Sequence, residues 1–437
     1  MAQLSPNPDG LELEDFVAAH FKSRGVYVET SIRQWDPDAI LELDIVWTDY
    51  SKGDIRRNPV EIKSGHWGLG DLFKFYGWIK YLEIPAGQYV FRNMPDRINA
   101  ESLNALCSKL DICPLHIENI STVDDNFKAI GLSNPTEETL PILWRYSYWA
   151  QRKLLKSLSA SIKYSSCIES GKKAKIYAKL INDALFFEPD VRSRVSLLLD
   201  AHQNHPKLAL TAANEIGGRG VDFLNPRDCP EFRTALYGGL HFPIQACLYL
   251  SHRARLSILK AMVEYHILRE RGELPIKVIK IHDTEYEVDD LTLPLGLNSI
   301  IEKLSVAKSF RLFPVFWQTF LWGWGGFILT DRIDEEYHSL SLQTGVPKEE
   351  IDLALSVFNE LYESASPWII KPEDDFRKVV KLIPAPMRGI GAYNRLLRYK
   401  KNKYEDLGLN ETTTKRFLVD NNSLVMLLDG DDEQIAK

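Results

Sequence analysis

Three residues on two short apolar segments could together form the core of a metal-dependent site. In NPVEIKS (58–64), Glu61 and Lys63 are two positions apart, so on a strand their side chains point to the same face. In LELDIVW (41–47), Asp44 stands among apolar residues, where a carboxylate is costly to bury unless its charge is compensated. Two strands that present carboxylates to one edge therefore predict a cation such as Mg²⁺, which binds carboxylates, backbone carbonyls and water.

The chemistry expected of such a site is the hydrolysis of a phosphate ester. We expect Asp44, Glu61 and the backbone carbonyl of Ile62 to hold the ion. The ion would polarise the phosphate and lower the pKa of an attacking water. Lys63 would orient that water or stabilise the charge that develops on the phosphate.

A third acid, Glu14, lies on the apolar stripe of a predicted helix, near Val17 and Phe21. From there its carboxylate could reach the sheet and hold an ion-bound water or a second ion. Each residue also has an ordinary explanation: a solvated Glu-Lys pair, a turn aspartate, and a charge near a helix N-terminus. The prediction therefore depends on the whole set and on the order of the elements that carry it.

The first 120 residues contain alternating helical and strand patterns that could position these side chains. Helices are predicted at 11–24, 70–82 and 99–110, and strands at 26–28, 41–47, 58–64, 87–91 and 113–120. The order α-β-β-β-α-β-α-β predicts an α/β domain, a mixed sheet flanked by helices.

This order and these acids resemble the PD-(D/E)xK, or restriction endonuclease-like, superfamily, in particular its Mrr-like and Holliday-junction-resolvase-like branches. The resemblance covers residues 1–120. It implies catalytic roles for the four matching side chains, with Mg²⁺ or Mn²⁺ as cofactor; these are Glu14, Asp44, Glu61 and Lys63. One departure is that Leu43, not proline, precedes Asp44.

The rest of the chain is predicted to be mostly α-helical. We expect a linker at 121–140, a helical domain at 141–275, and a helical C-terminal domain at 276–437 with a β-hairpin at 276–288. Residues 334–370 resemble a winged helix, but the second helix is acidic, which favours a protein contact or a structural role over DNA reading. The uncharged segment 312–329 is predicted to form buried helices rather than a membrane span.

Two groups of basic residues are candidates for nucleic-acid contacts. Lys74 and Lys80 lie on the helix that follows the motif, although a solvated helix face explains them as well. Near the C-terminus, basic residues alternate with tyrosines, which could neutralise phosphates and stack on bases, or could form a solvated helix end. These basic residues are Arg388, Arg395, Arg398, Lys400 and Lys401.

Charge, cysteine content and the first residues bear on the expected partners and cellular location of the protein. The 437 residues carry a formal net charge of -7, so bulk charge does not indicate nucleic-acid binding. The 5 cysteines are scattered without metal-site spacing, and the chain does not open with a signal-peptide pattern. These features predict a cytoplasmic protein without a membrane span.

The function expected from the sequence is a Mg²⁺-dependent DNA endonuclease, with defence against foreign DNA suggested by analogy alone. Two alternatives stay open. The fold could be catalytically inactive and serve as a nucleic-acid-binding or scaffolding module, or the enzyme could cut RNA. A homodimer, or a protein partner bound through the helical region, also stays open.

Overall fold

A computed structural model describes the chain in segments. They are residues 5–34, 41–53, 55–95, 98–118, 123–163, 190–191, 193–199, 242–274, 277–281, 284–288, 297–329, 332–361, 379–382 and 387–399. The helices are α1 (Leu11–Lys22), α2 (Leu69–Tyr81), α3 (Ala100–Lys109), α4 (Val123–Ala129), α5 (Leu140–Lys163), α6 (Phe242–Glu270), α7 (Leu297–Val306), α8 (Phe313–Gln318), α9 (Ile333–Thr344), α10 (Ile351–Asn359) and α11 (Arg388–Tyr399). The strands are β1 (Tyr27–Arg33), β2 (Glu42–Asp49), β3 (Arg56–Lys63), β4 (Gly87–Phe91), β5 (Ile112–His116), β6 (Lys277–Ile281), β7 (Thr284–Val288), β8 (Phe327–Leu329) and β9 (Val379–Leu382).

The N-terminal part contains a mixed sheet of 5 strands in the order β1-β2-β3-β4-β5. The pairs β1–β2 and β2–β3 are antiparallel, whereas β3–β4 and β4–β5 are parallel. Short loops suffice for the antiparallel pairs, while each parallel pair requires a crossover, which α2 and α3 provide. The predicted mixed sheet with flanking helices is confirmed, and its eight elements occur in the predicted order.

The two faces of this sheet are covered by different helices. Val60 and Ile62 of β3 belong to the core that also contains Phe21 of α1. Tyr89 and Phe91 of β4 pack in a second core with α2. Because side chains alternate along a strand, Glu61 points away from the α1 face and towards the α2 face.

Close packing of α2 on the sheet depends on a glycine at the start of β4. A Cβ atom on Gly87 would lie 2.7 Å from Cδ1 of Ile79 and 2.9 Å from Cζ of Phe75. Those distances are shorter than normal contacts, so a larger residue would have to displace the Ile79 and Phe75 side chains. Glycine at this position thus brings the α2 side chains close to the face that carries Glu61.

The segment predicted as a linker, 121–140, is partly folded against the N-terminal helix. Its residues 123–129 form α4, in which Phe127 is fully buried. The Phe127 ring meets the Phe21 ring edge-on, with centroids 4.7 Å apart, and Arg24 forms an ion pair with Asp124. Within the segment predicted as a linker, two apolar residues at helical spacing, Val123 and Phe127, therefore bury one face of a packed helix.

The helical region packs directly against the sheet rather than standing apart from it. The Gln318 side chain accepts a hydrogen bond from the Val28 N–H (3.1 Å) and donates one to the Val28 carbonyl (2.7 Å), so it pairs with the edge strand β1 as a backbone would. Beside it, Lys260 forms a buried ion pair with Glu29 at 2.8 Å. One hydrophobic core continues from α1 through α5, α6 and α8.

Other predictions for the helical region have mixed outcomes. The β-hairpin is confirmed, with β6 and β7 paired antiparallel. The uncharged segment 312–329 is buried and holds α8, a π-helical turn and β8. No helix in the described part of the chain is long and apolar enough to cross a membrane. Helices α9 and α10 follow one another as the winged-helix pattern requires, but the candidate wing lies outside the described residues.

Candidate active site

The strands β2 and β3 stop pairing at the level of the predicted site. Their last ladder pair is Ile45–Val60. Beyond it, Oδ2 of Asp44 accepts a hydrogen bond from the Ile62 N–H at 2.8 Å, in the place where a backbone carbonyl of β2 would otherwise lie. This bond holds the Asp44 carboxylate against the strand that carries Glu61 and Lys63.

Glu61 and Lys63 form a close ion pair on the α2 face of the sheet. The Lys63 Nζ donates to Oε1 of Glu61 at 2.6 Å. The Glu61 side chain is 9% exposed and that of Lys63 29%. The second oxygen, Oε2 of Glu61, is buried and has no hydrogen-bond partner among the residues that the structure describes. One carboxylate oxygen of the pair is thus left for a further partner.

The acids of this cluster are hard to ionise together. Burial, followed by the charges of Glu61 and Glu14, raises the pKa of Asp44 to about 8. Burial, followed by the charges of Asp15 and Glu42, raises the pKa of Glu14 to about 7, and Glu61 contributes a smaller repulsion. Glu14, which comes from α1, therefore lies within electrostatic reach of both strand acids.

Lys63 compensates only part of this negative charge. Burial raises the pKa of Glu61, while the hydrogen bond from Lys63 acts in the opposite direction. Burial lowers the pKa of Lys63, but the bond to Glu61 and the charges of Glu61 and Asp44 raise it overall, so the lysine stays charged. Asp44, Glu61 and Glu14 repel one another when they are ionised, and a divalent cation would favour their ionised forms.

The donor set fits a hard cation that keeps some of its water. Asp44 and Glu61 offer carboxylate oxygens from adjacent strands, and Oε2 of Glu61 lacks a partner among the described residues. In the described part of the chain, no group of three or more His, Cys, Asp or Glu side chains is arranged to hold a metal. A backbone carbonyl and water would therefore have to complete the coordination, as they do for Mg²⁺.

The structure adds residues that the sequence did not single out. Asp71, from the first turn of α2, acts on the pKa of Glu61, and so does Lys74, which the sequence had singled out only as a nucleic-acid contact. Tyr89 lies beside Glu61 in the parallel ladder. A single tyrosine in the apolar strand GQYVF indicates only core packing, and the sequence carries no signal for its position beside an acid. The sequence does not indicate a role for Asp71 in the site either, because an acid in the first turn of a helix usually interacts with the helix terminus.

The neighbouring strand β1 is irregular at the level of Asp44. The β1–β2 ladder pairs Thr30 with Ile45 and Ile32 with Leu43. Ser31, which lies between these pairs, has a φ angle of 54°, which is unusual for a residue other than glycine. Backbone strain of this kind is common beside functional sites.

The predicted nucleic-acid contacts on α2 lie at different distances from the acids. Lys74 is exposed, its Nζ lies 4.7 Å from the centre of the Trp78 ring, and its charge acts on Glu61. Lys80 is also exposed and lies 3.5 Å from a carboxylate oxygen of Asp111. Lys74 thus borders the site, whereas Lys80 lies almost two helical turns further on.

The prediction that Arg395 contacts nucleic acid is corrected by its position. Its side chain is 1% exposed, and its Nε donates to Glu336 at 2.8 Å. The rest of its guanidinium group bonds to Glu336 and to the backbone carbonyls of Trp324 and Phe327. The tyrosine-rich basic sequence predicts an exposed surface that binds nucleic acid, but Arg395 neutralises the buried Glu336.

The other C-terminal candidates are only partly described. Arg398 is 13% exposed and pairs with Glu137 at 2.8 Å, so most of its charge is used within the protein. Arg388 begins α11, but its side chain lies outside the described part, as do Lys400 and Lys401. Their predicted contacts with nucleic acid stay predictions.

No protein-family model, curated protein or solved structure matches this chain. The function must therefore be inferred from the side chains of the site, their distances and their charges.

Proposed function

We propose that this protein is a metal-dependent endonuclease that hydrolyses phosphodiester bonds, with DNA as its expected substrate and Mg²⁺ or Mn²⁺ as its cofactor. The observation that carries the proposal is the meeting of Asp44, Glu61 and Lys63 where β2 and β3 part, with one Glu61 oxygen left unpartnered within the described chain. The same three residues form the motif that resembles the PD-(D/E)xK nucleases.

Three groups of this chain would hold the ion: the carboxylates of Asp44 and Glu61 and the backbone carbonyl of Ile62. The bond from the Ile62 N–H fixes the Asp44 carboxylate and so limits its motion before an ion binds. A bound Mg²⁺ would supply Lewis acidity to the phosphate and lower the pKa of a water.

The two other predicted residues act on the nucleophile and on the phosphate. The Lys63 ammonium remains charged and lies at the more open side of the pair, where it can donate to a phosphate oxygen as negative charge develops. The Glu14 carboxylate, with a pKa of about 7, can accept a hydrogen bond from the attacking water and receive its proton near neutral pH.

A positively charged side chain lies beside this site and can contact the substrate. Lys74 borders the acids from α2 and is exposed, so its ammonium group can bind a phosphate next to the one that is cut. The overall acidity of the chain makes such local contacts, together with the ion, the main source of attraction for a nucleic acid. Defence against foreign DNA is a setting that we infer from the type of fold alone.

The decisive experiment is cleavage of plasmid, linear and single-stranded DNA, with RNA in parallel, in Mg²⁺, Mn²⁺ or EDTA. We expect cutting that needs the metal and that falls at least about 100-fold in Asp44→Asn and Lys63→Met. A matched control is Asp49→Asn, which removes an acid from the other end of β2, where Asp49 accepts from Ser51 at 2.6 Å.

Each outcome of this experiment points to one function. Cutting in EDTA, or cutting that survives Asp44→Asn, would refute the metal mechanism. Metal-dependent cutting of RNA but not DNA would assign the RNA endonuclease. Binding of nucleic acid without cutting, together with no Mn²⁺ binding that depends on Asp44 and Glu61, would instead identify an inactive scaffold.

A further inference from the structure

Two neighbouring side chains on the α2 face of the sheet each carry a buried oxygen atom that has no hydrogen-bond partner among the described residues. Glu61 of β3 and Tyr89 of β4 are Cα partners in the parallel ladder, so their side chains stand side by side. Counted over the whole residue, Tyr89 is 0% exposed and Glu61 is 7% exposed. Within the described chain, neither the Tyr89 hydroxyl nor Oε2 of Glu61 has a hydrogen-bond partner.

Such atoms are rarely left without partners in a folded protein. A buried polar atom that lacks a hydrogen bond costs about 1–3 kcal/mol, and most are satisfied by protein or by ordered water. Two such atoms on neighbouring side chains therefore indicate that the two side chains act together. The Tyr89 hydroxyl can donate and Oε2 of Glu61 can accept, and both side chains lie beside the cluster of acids. This arrangement fits a hydrogen bond that forms when a cation binds at the site.

The hydroxyl of Tyr89 is held as a donor by its surroundings. Its ring lies between Trp67 and Phe75, with ring centroids 4.9 Å and 5.9 Å away, so packing fixes the direction of the side chain. Burial, and then the negative charges of Asp71 and Glu61, raise the pKa of Tyr89. A tyrosine with the ordinary pKa of about 10 is already protonated at neutral pH.

We propose that Tyr89 is a positioning residue for Glu61, to whose Oε2 it donates a hydrogen bond, directly or through one water, when Glu61 holds a divalent cation. This inference rests on the proposed function. Lys63 already binds Oε1 at 2.6 Å, so the two donors would fix the plane of the carboxylate from both of its oxygens. Partners of this kind raise metal affinity, and their loss typically costs about 10–100-fold.

The test is Mn²⁺ binding by full-length protein, measured by isothermal calorimetry or by electron paramagnetic resonance. We expect Tyr89→Phe to weaken Mn²⁺ binding about 10-fold while the KM for DNA stays unchanged. The matched control is Tyr148→Phe, which removes another buried hydroxyl that has no partner among the described residues. Tyr148 lies on α5, and the acids that act on it are Asp15 and Glu29 rather than the site acids.

Stability in EDTA separates positioning from ordinary packing. Since the Tyr89 hydroxyl has no hydrogen-bond partner among the described residues, Tyr89→Phe in EDTA should unfold at the same temperature as wild type, or at a higher one. Wild-type Mn²⁺ affinity in Tyr89→Phe would overturn the inference, and so would weaker binding accompanied by an equal loss of stability in EDTA.

The proposed function can fail separately from this inference. If wild-type protein binds Mn²⁺ and Asp44→Ala does not, the metal site stands whatever Tyr89→Phe does. If Asp44→Ala binds Mn²⁺ as tightly as wild type, the proposed function and the role of Tyr89 are both refuted.

Discussion

Replacing Asp44 by asparagine should stabilise the metal-free protein at mildly alkaline pH and abolish its stabilisation by Mn²⁺. The amide oxygen of asparagine can still accept the Ile62 N–H that Asp44 now binds at 2.8 Å. The substitution therefore removes a negative charge with little loss of hydrogen bonding. Burial and the charges of Glu61 and Glu14 make that negative charge unfavourable.

The size of the effect follows from the pKa of Asp44, which burial raises from 3.8 to about 8. Between these values the folded protein binds a proton that the unfolded chain releases, so the free energy of unfolding falls as pH rises through this window. Each pKa unit corresponds to about 1.4 kcal/mol. Because Glu14 and Glu61 share the protons of the cluster, we expect Asp44→Asn to gain only roughly 2–3 kcal/mol at pH 8.

Thermal unfolding in EDTA at pH 5 and pH 8 measures this effect. We expect the unfolding temperature of Asp44→Asn to exceed that of wild type by a few degrees at pH 8 and by less at pH 5. Addition of Mn²⁺ at pH 8 should reverse the order, because only wild type gains the binding free energy. Asp49→Asn should follow wild type in both conditions. An Asp44→Asn protein that is less stable than wild type in EDTA at pH 8 would refute the repulsion between these acids.

Two further predictions concern basic residues. Lys74→Ala should weaken DNA binding by catalytically inactive protein and reduce the slope of log K against log salt by about 1, as expected for one lost phosphate contact; an unchanged slope would exclude that contact. Arg395→Ala should lower the free energy of unfolding by about 3–5 kcal/mol in urea titrations, since it leaves the buried Glu336 without its cation. Normal stability with lost DNA binding would instead restore Arg395 as a surface contact.

The N-terminal elements were predictable because their signals are local. Alternation around Glu61 and Lys63 indicates a strand within seven residues, and the stripe around Glu14 indicates a helix within three turns. Connecting loops that are short, or that contain one helix, leave few ways to arrange such elements in a sheet. Thus the contact of Asp44 with β3 could be expected from the order of elements together with the types of residue they carry.

The features that escaped prediction depend on partners distant in the chain. Arg395 pairs with Glu336, 59 positions earlier, and nothing near either residue indicates the other. Tyr89 lies 28 positions from Glu61, and its sequence context indicates only core packing; the parallel register is what places the two side by side. Phe127 escaped for a related reason: its polar neighbours outweigh it locally, while its partner Phe21 lies on the first helix.

The pairing of Gln318 with Val28 bears on how this protein can be shortened. A fragment that ends near residue 120 would keep all four predicted site residues, yet it would lose the amide that pairs with the backbone of β1. It would also lose Lys260, the cation that neutralises the buried Glu29. The uncovered edge of β1 could then pair with strands of other molecules, so a fragment of residues 1–120 should aggregate unless the helical half is supplied with it.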